Sequence, residues 1–150
     1  QAMALGTKTI EALNVVGLLA VELFLDKEGE LWVNEAAPRP HNSGHHTIES
    51  VVTSQYEQHL RAVLGFPLGS TRLKSAAVMV NLLGAPGQTG PVRYDGLSAA
   101  MAVEGASVHL YGKKQTKPFR KMGHVTVTAM TVAEALNNAN NVKQLLTVTT

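Results

Sequence analysis

Two strand-like runs separated by a short charged turn constrain this chain more than any other feature. Leu18–Leu25 and Glu30–Ala36 are rich in Leu, Val and Ala, and the segment joining them, Asp26-Lys27-Glu28-Gly29-Glu30, carries charge and a glycine. A connection that short cannot return a parallel strand, so the pair must be an antiparallel hairpin. Pro38 and Pro40 end the second run, because neither has a backbone donor for a ladder.

The hairpin carries two carboxylates where apolar residues belong. Glu22 interrupts the first run and Glu35 closes the second. If Asp26 faces Leu31 across the loop Lys27–Glu30, a regular ladder brings Glu22 directly opposite Glu35 on one face. Opposed side chains lie about 5 Å apart, and like charges that close repel. A hard divalent cation removes the conflict, and Mg²⁺ is suited to one or two carboxylates plus water and phosphate oxygens. A slip of one residue would separate the two groups onto opposite faces.

Around the hairpin the pattern alternates between helix and strand. Good helix formers across Ala2–Leu13 predict a helix, and Thr47–Leu64 reads as mostly helical, with Ser54 capping Gln55–Leu64. Gly65-Phe66-Pro67-Leu68-Gly69-Ser70 breaks the chain. Beyond it, Ser75–Leu83, Ser107–Tyr111 and His124–Ala129 read as strands, Gly84–Gly96 as loop, and Ser98–Val103 as an apolar stretch of undecided type. Thr131 with Glu134 forms a capping box that opens a helix over Val132–Leu146. The fold class is therefore α+β, an antiparallel sheet with helices followed by a small β-rich C-terminal domain, with boundaries at 1–73 and 74–150. Trp32 is expected in the core or covering the sheet, Met3, Met79, Met101 and Met130 as gap fillers, and His59 exposed on its helix.

Composition excludes several classes of function. A net charge of +2 offers no electrostatic basis for a dedicated nucleic-acid binder. The absence of Cys removes disulfides, thiolate metal sites and Cys nucleophiles, and it fits a reducing compartment. No apolar run is long enough to span a membrane, since Glu22 breaks Gly17–Leu25. The basic run Lys113–Lys121 holds five Lys and Arg residues and no acid, and its one aromatic, Phe119, falls short of the interleaved aromatics of a nucleic-acid surface.

Asn34 to His45 concentrates the polar chemistry. Arg39 can hold a carboxylate or phosphate bidentately, Asn42, Ser43 and the Gly44 amide can donate to an anion, and two prolines stiffen the backbone. His41, His45 and His46 lack the spacing of a zinc site. From residue types alone this is an anion-binding loop beside two carboxylates that either share a metal or, on a half-exposed sheet, leave one Glu pointing to solvent.

The segment Val33-Asn34-Glu35-Ala36-Ala37-Pro38-Arg39-Pro40-His41-Asn42-Ser43-Gly44-His45 closely resembles the signature of the 5-(carboxyamino)imidazole ribonucleotide synthases, ATP-grasp enzymes of bacterial and fungal purine synthesis. Val21-Glu22-Leu23-Phe24 matches the preceding metal strand of that family. A second block, Tyr111-Gly112-Lys113 and Arg120-Lys121-Met122-Gly123-His124, resembles its C-terminal substrate loop. The resemblance runs in order from Gly17 to about Leu136. Formate-dependent glycinamide ribonucleotide transformylases are similar through Pro-Arg-Pro-His and then differ from Asn-Ser-Gly-His.

The resemblance implies the C-terminal half of an ATP-grasp lobe followed by the family's C-terminal domain. It implies a cytoplasmic, usually dimeric ligase that uses ATP, Mg²⁺ and bicarbonate to carboxylate aminoimidazole ribonucleotide by way of carboxyphosphate. By position, Glu22 and Glu35 match the metal ligands, and Asn34 with Glu35 the ATP site. Arg39, His41 and Asn42 match residues at the reacting anion, and Lys113 and Arg120 the pair on the substrate 5′-phosphate. Lys117-Pro118-Phe119 departs from the family's usual Arg-Pro-Gly. The start Gln1-Ala2-Met3 enters a helical pattern without an entry loop, which suggests a cut inside the lobe. The remaining N-terminal portion of the enzyme is then an expected partner, and this chain alone is expected not to catalyse. Two alternatives stand beside this reading: a non-catalytic fragment, and another ATP-grasp ligase such as the transformylase.

Overall fold

Strands β1 (Ala20–Leu25) and β2 (Leu31–Ala37) form the expected antiparallel hairpin in a computed structural model that describes residues 1–150. The chain divides into two compact units, Gln1–Arg72 and Leu73–Thr150.

In the first unit, the hairpin register differs from expectation near the turn. Leu25 faces Leu31, Phe24 faces Trp32 and Leu23 faces Val33, so the register is one residue tighter than a ladder starting at Asp26 and Leu31. Asp26 instead belongs to the turn: its amide donates to the Glu30 carbonyl, and its Oδ1 accepts from the Glu28 and Glu30 amides. A bulge beyond Leu23 then makes Asn34 the extra residue of β2. Its effect is to restore the pairing of Glu22 with Glu35, Val21 with Ala36 and Ala20 with Ala37.

Helix α1 (Ala2–Ala12) precedes the hairpin and buries no residue. After β2 come a 3₁₀ turn (Asn42–Gly44), a short helix α2 (Thr47–Ser50) and α3 (Gln55–Val63). The mostly helical stretch Thr47–Leu64 is thus two helices, separated by the extended backbone of Val51 and with the second opened by the Ser54 cap as expected. The Ser54 Oγ accepts from the Glu57 amide at 3.3 Å. His59 is half-buried rather than exposed, because its Nδ1 accepts from the Leu18 amide. Trp32 is 61% exposed, not core, and its indole N–H donates to Asp26.

The second unit holds a well-packed core. Strands β3 (Ala76–Leu83), β6 (Ala106–Leu110) and β8 (Lys121–Ala129) form an antiparallel sheet with β8 in the centre. Val125 and Val127 are fully buried with Leu82 and Val142, the last from helix α5 (Val132–Leu145). Burial of each such side chain contributes about 1.5–3 kcal/mol. Thr131 caps α5 by accepting from the Glu134 amide at 3.2 Å, the capping box read from sequence. The Gly84–Gly96 segment is not all loop. It contains β4 (Gly90–Pro91), paired with β7 (Gln115–Thr116), and β5 (Arg93–Asp95), paired with the terminal β9 (Thr147–Thr149). The undecided stretch after Ser98 is part of helix α4 (Leu97–Met101). Met122 fills the core, whereas Met3, Met101 and Met130 are exposed. No helix is long and apolar enough to cross a membrane.

Candidate functional site

The first unit places its chemistry on one face of the hairpin and on the loop that follows. Alternation along β1 puts Ala20, Glu22 and Phe24 on the same face, and their ladder partners Ala37, Glu35 and Trp32 share it. His41, at the start of the loop beyond β2, brings its ring to this face: Nε2 lies 3.3 Å from a Glu22 carboxylate oxygen. One ligand atom each from Glu22, Glu35 and His41 fall within 4.8 Å of one another.

The loop fixes the state of the His41 ring. The Ser43 amide donates to Nδ1 at 3.4 Å, and the Ser43 hydroxyl lies 2.9 Å from the same nitrogen. An Nδ1 that accepts from a backbone N–H is unprotonated, so a neutral ring carries its hydrogen on Nε2, the nitrogen that faces Glu22. His41 is also the N-cap of the 3₁₀ turn. Two hard carboxylates with free approach from solvent suit Mg²⁺, which accepts few protein ligands. His41 stands beside them with Nε2 at ion-pair distance from Glu22.

The other residues singled out in this loop are arranged differently. Asn34 is the exposed bulge residue. Arg39 is exposed, with Nη1 donating to the Pro40 carbonyl at 3.1 Å. Asn42 opens the 3₁₀ turn, its carbonyl accepting from the His45 amide. The three histidines have separate surroundings. His45 Nδ1 is 2.7 Å from the Tyr56 hydroxyl, and His46 Nδ1 is 2.7 Å from the Ser50 hydroxyl. Burial raises the Tyr56 hydroxyl above the ordinary phenol range.

One residue that matters here carried no motif. Gln55, the first residue of α3 and only 8% exposed, meets the backbone of His41 with its side-chain amide. Its one signal in the sequence is position: immediately after the Ser54 cap, a first-turn residue faces the preceding loop.

In the second unit, Lys113 and Arg120 lie on the connection between β6 and β8 and are both half-buried. Lys113 Nζ donates to the Lys121 carbonyl at 2.6 Å and sits 5.6 Å from the centre of the Tyr111 ring. Arg120 Nη1 donates to the Gln115 carbonyl at 3.0 Å. Tyr111 reaches the buried His124, its hydroxyl 2.9 Å from Nδ1, and His124 stacks on His109 with ring centres 4.4 Å apart. The loop thus anchors its two candidate cations through its own carbonyls and one aromatic ring.

Comparison with known proteins finds a match in each unit. Residues 1–56 match a model of the ATP-grasp domain, and residues 77–138 match the phosphoribosylaminoimidazole carboxylase C-terminal domain. The chain is 50% identical over 126 residues to the N5-carboxyaminoimidazole ribonucleotide synthase of Bacillus subtilis, covering 84% of this chain and 32% of that protein. It superposes on the crystal structure of N5-carboxyaminoimidazole ribonucleotide synthetase from Thermotoga maritima with a TM-score of 0.93 and 54% identity, over 99% of this chain and 41% of that one. The Aspergillus clavatus synthase, solved in complex with ADP and 5-aminoimidazole ribonucleotide, gives a TM-score of 0.84 at 37% identity, over 95% of this chain and 38% of that one. The chain therefore spans about a third of the length of its curated Bacillus relative. It belongs to the N5-carboxyaminoimidazole ribonucleotide synthase family, matching in order part of the ATP-grasp domain and the C-terminal domain.

Proposed function

We propose that this chain supplies part of an ATP- and bicarbonate-dependent ligase that carboxylates 5-aminoimidazole ribonucleotide to 5-(carboxyamino)imidazole ribonucleotide in purine biosynthesis. The observation that carries the reading is the pairing of Glu22 with Glu35 beside the His41 loop. Two carboxylates held face to face on a ladder have little reason to persist unless a cation joins them.

On this reading Glu22 and Glu35 hold Mg²⁺, and Asn34 and Glu35 border the ATP phosphates. When bound, the ion neutralises charge on the phosphates during phosphoryl transfer to bicarbonate. Arg39 is free to turn its guanidinium toward the carboxyphosphate anion, since it rests only on a neighbouring carbonyl at the surface. His41, with its hydrogen on Nε2, donates to an anionic oxygen, and Asn42 lies next to it at the start of the 3₁₀ turn. Lys113 and Arg120 hold the substrate 5′-phosphate, a dianion near neutral pH that two cations match.

The rest of the reading follows the same family. The enzyme acts as a homodimer in the cytoplasm, and the exposed Phe24, Leu25 and Trp32 of the hairpin pack against the remainder of the lobe. The test is phosphate release by the protein containing this chain when Mg-ATP, bicarbonate and 5-aminoimidazole ribonucleotide are supplied together. Release should require all three and should fall at least a hundredfold in Glu35→Ala. Undiminished turnover in a folded Glu35→Ala protein would overturn the metal assignment.

A further inference from the structure

Helix α3 carries two glutamines, Gln55 and Gln58, that perform the same unusual task on different loops. Gln58 Nε2 donates to the Gly69 carbonyl at 2.6 Å while its Oε1 accepts from the Gly69 amide at 2.9 Å. Gln55 does the same to His41: Nε2 donates to the His41 carbonyl at 2.8 Å, and Oε1 accepts from the His41 amide at 2.9 Å. In each case a side-chain amide replaces the partner strand that the peptide lacks. A buried peptide without partners costs about 1–3 kcal/mol per group, so both contacts stabilise their loops.

Only the Gln55 contact bears on the candidate site. Its second Nε2 hydrogen points to His45 Nδ1 at 3.0 Å, so one amide holds two residues of the loop. The fit is tight: a Cβ on Gly44 would lie 2.6 Å from Gln55 Oε1, and only glycine lets the loop close over the amide. Gln55 is in turn fixed by the first turn of α3, where its own amide donates to Thr47 Oγ1 at 3.0 Å. The His41 peptide is therefore held by a helix as well as by its own loop, whose Gly44 amide also donates to the His41 carbonyl at 3.0 Å, and the His41 ring is what reaches Glu22 at 3.3 Å.

We infer that Gln55 is a positioning residue of the site, acting through the His41 peptide to hold the His41 ring against Glu22 and so shape the Glu22–Glu35 cation pair. The inference rests on the proposed role of those two carboxylates. Gln55 itself touches neither of them in the contacts it makes.

The test compares Gln55→Leu with Gln58→Leu in the full-length protein that contains this chain. Both lose the same kind of contact, but only the first lies under the site. Mn²⁺ binding is read from water-proton relaxation, and folding from the thermal transition. Gln55→Leu should weaken Mn²⁺ at least fivefold and speed exchange of the His41 amide at least tenfold. Gln58→Leu should leave Mn²⁺ affinity within twofold even where it lowers the melting temperature as much. Gln55→Glu, which keeps the acceptor for the His41 amide but loses the donor, serves where Gln55→Leu does not fold, and should weaken Mn²⁺ at least threefold. Equal effects of the Gln55 and Gln58 variants, unchanged affinity in a folded Gln55 variant, or failure of both Gln55 variants to fold would overturn the inference. If the parent protein binds no Mn²⁺, the cation reading fails instead. The inference is then decided by nuclear Overhauser contacts between the His41 ring and Glu22: loss in Gln55→Leu supports it and retention overturns it.

Discussion

Glu35 faces Glu22 across the hairpin only because Asn34 is an extra residue in β2. With the register of the turn carried straight through, Asn34 would stand opposite Glu22 and Glu35 opposite Val21. The bulge exchanges a neutral neighbour for a charged one. Without a cation this costs stability, since like charges directly opposed on a sheet are unfavourable by roughly 0.2–1 kcal/mol. Glu35→Gln should therefore raise the stability of the metal-free chain by about that amount. The same variant should lose most of the stabilisation that the parent gains on adding Mg²⁺ or Mn²⁺. Paired thermal melts with and without the ion check both signs, and a variant that is less stable metal-free would count against the pairing.

The hairpin turn gives a pH-dependent signal of its own. Asp26 accepts from the Trp32 indole N–H at 2.7 Å and from the Glu30 and Glu28 amides. These hydrogen bonds, that of Trp32 first, hold its carboxyl below the ordinary carboxylate range. A carboxylate whose pKa is lowered by folding stabilises the fold above its unfolded value, near 4, and loses that contribution as pH falls through the lower folded value. The turn should therefore loosen only below about pH 4. Trp32 is the single tryptophan of the chain, so its fluorescence reports the change directly. In Asp26→Asn the acid-dependent part of that signal should disappear, and a parent emission that stays flat from pH 6 to pH 2.5 would contradict the assignment.

Much of this was legible in the residues. The hairpin follows from two apolar runs with a charged Gly-containing turn, and the caps at Ser54 and Thr131 follow from side chains that accept helix N–H groups. A regular ladder from Asp26 and Leu31 also opposes Glu22 and Glu35, but the turn does not adopt that register. Asp26 bonds its own loop instead of joining the ladder, and the bulge at Asn34 makes up the missing residue. Nothing local marks a bulge, because an Asn in a strand also fits an exposed position. The short ribbons β4–β7 and β5–β9 were hidden for a related reason: strands of two or three residues have no periodicity to read. Gln55 escaped because its role depends on a partner fourteen residues away.

The central strand of the second unit contains a correctable flaw. Thr126 is 0% exposed, in the middle of β8 between Met79 on β3 and Ser107 on β6, and its hydroxyl has no hydrogen-bond partner. A buried hydroxyl left unsatisfied costs about 1–3 kcal/mol, and Val has the same branched shape without it. Thr126→Val should stabilise the chain by about 1 kcal/mol, or several degrees in melting temperature for a unit of this size. Calorimetry on the two proteins decides the matter, and a destabilised variant would mean that the hydroxyl is satisfied in solution.

Lys117-Pro118-Phe119, on the connection between β6 and β8, carries a conformational cost. Phe119 adopts φ = +61°, the left-handed region that glycine enters freely, and the residue is 69% exposed. The turn is nonetheless closed, since the Phe119 amide donates to the Gly84 carbonyl at 2.9 Å and the Arg120 amide to the Lys117 carbonyl at 3.0 Å. So a residue with a Cβ sits where the turn requires glycine, at roughly 1–2 kcal/mol of backbone strain. Part of the gain from removing that strain is offset by the greater freedom of glycine in the unfolded chain, about 0.4–1 kcal/mol. The Phe119 ring also lines an apolar cavity of about 310 Å³ with Leu82, Leu83 and Pro86, but its exposure limits how much contact is lost. Phe119→Gly should therefore stabilise the chain by about 0.5–1 kcal/mol in denaturant titrations. It should leave the Lys113 and Arg120 anchors in place, which unchanged affinity for inorganic phosphate would verify. A loss of stability would instead assign the ring a packing role at the cavity that outweighs the strain of its backbone.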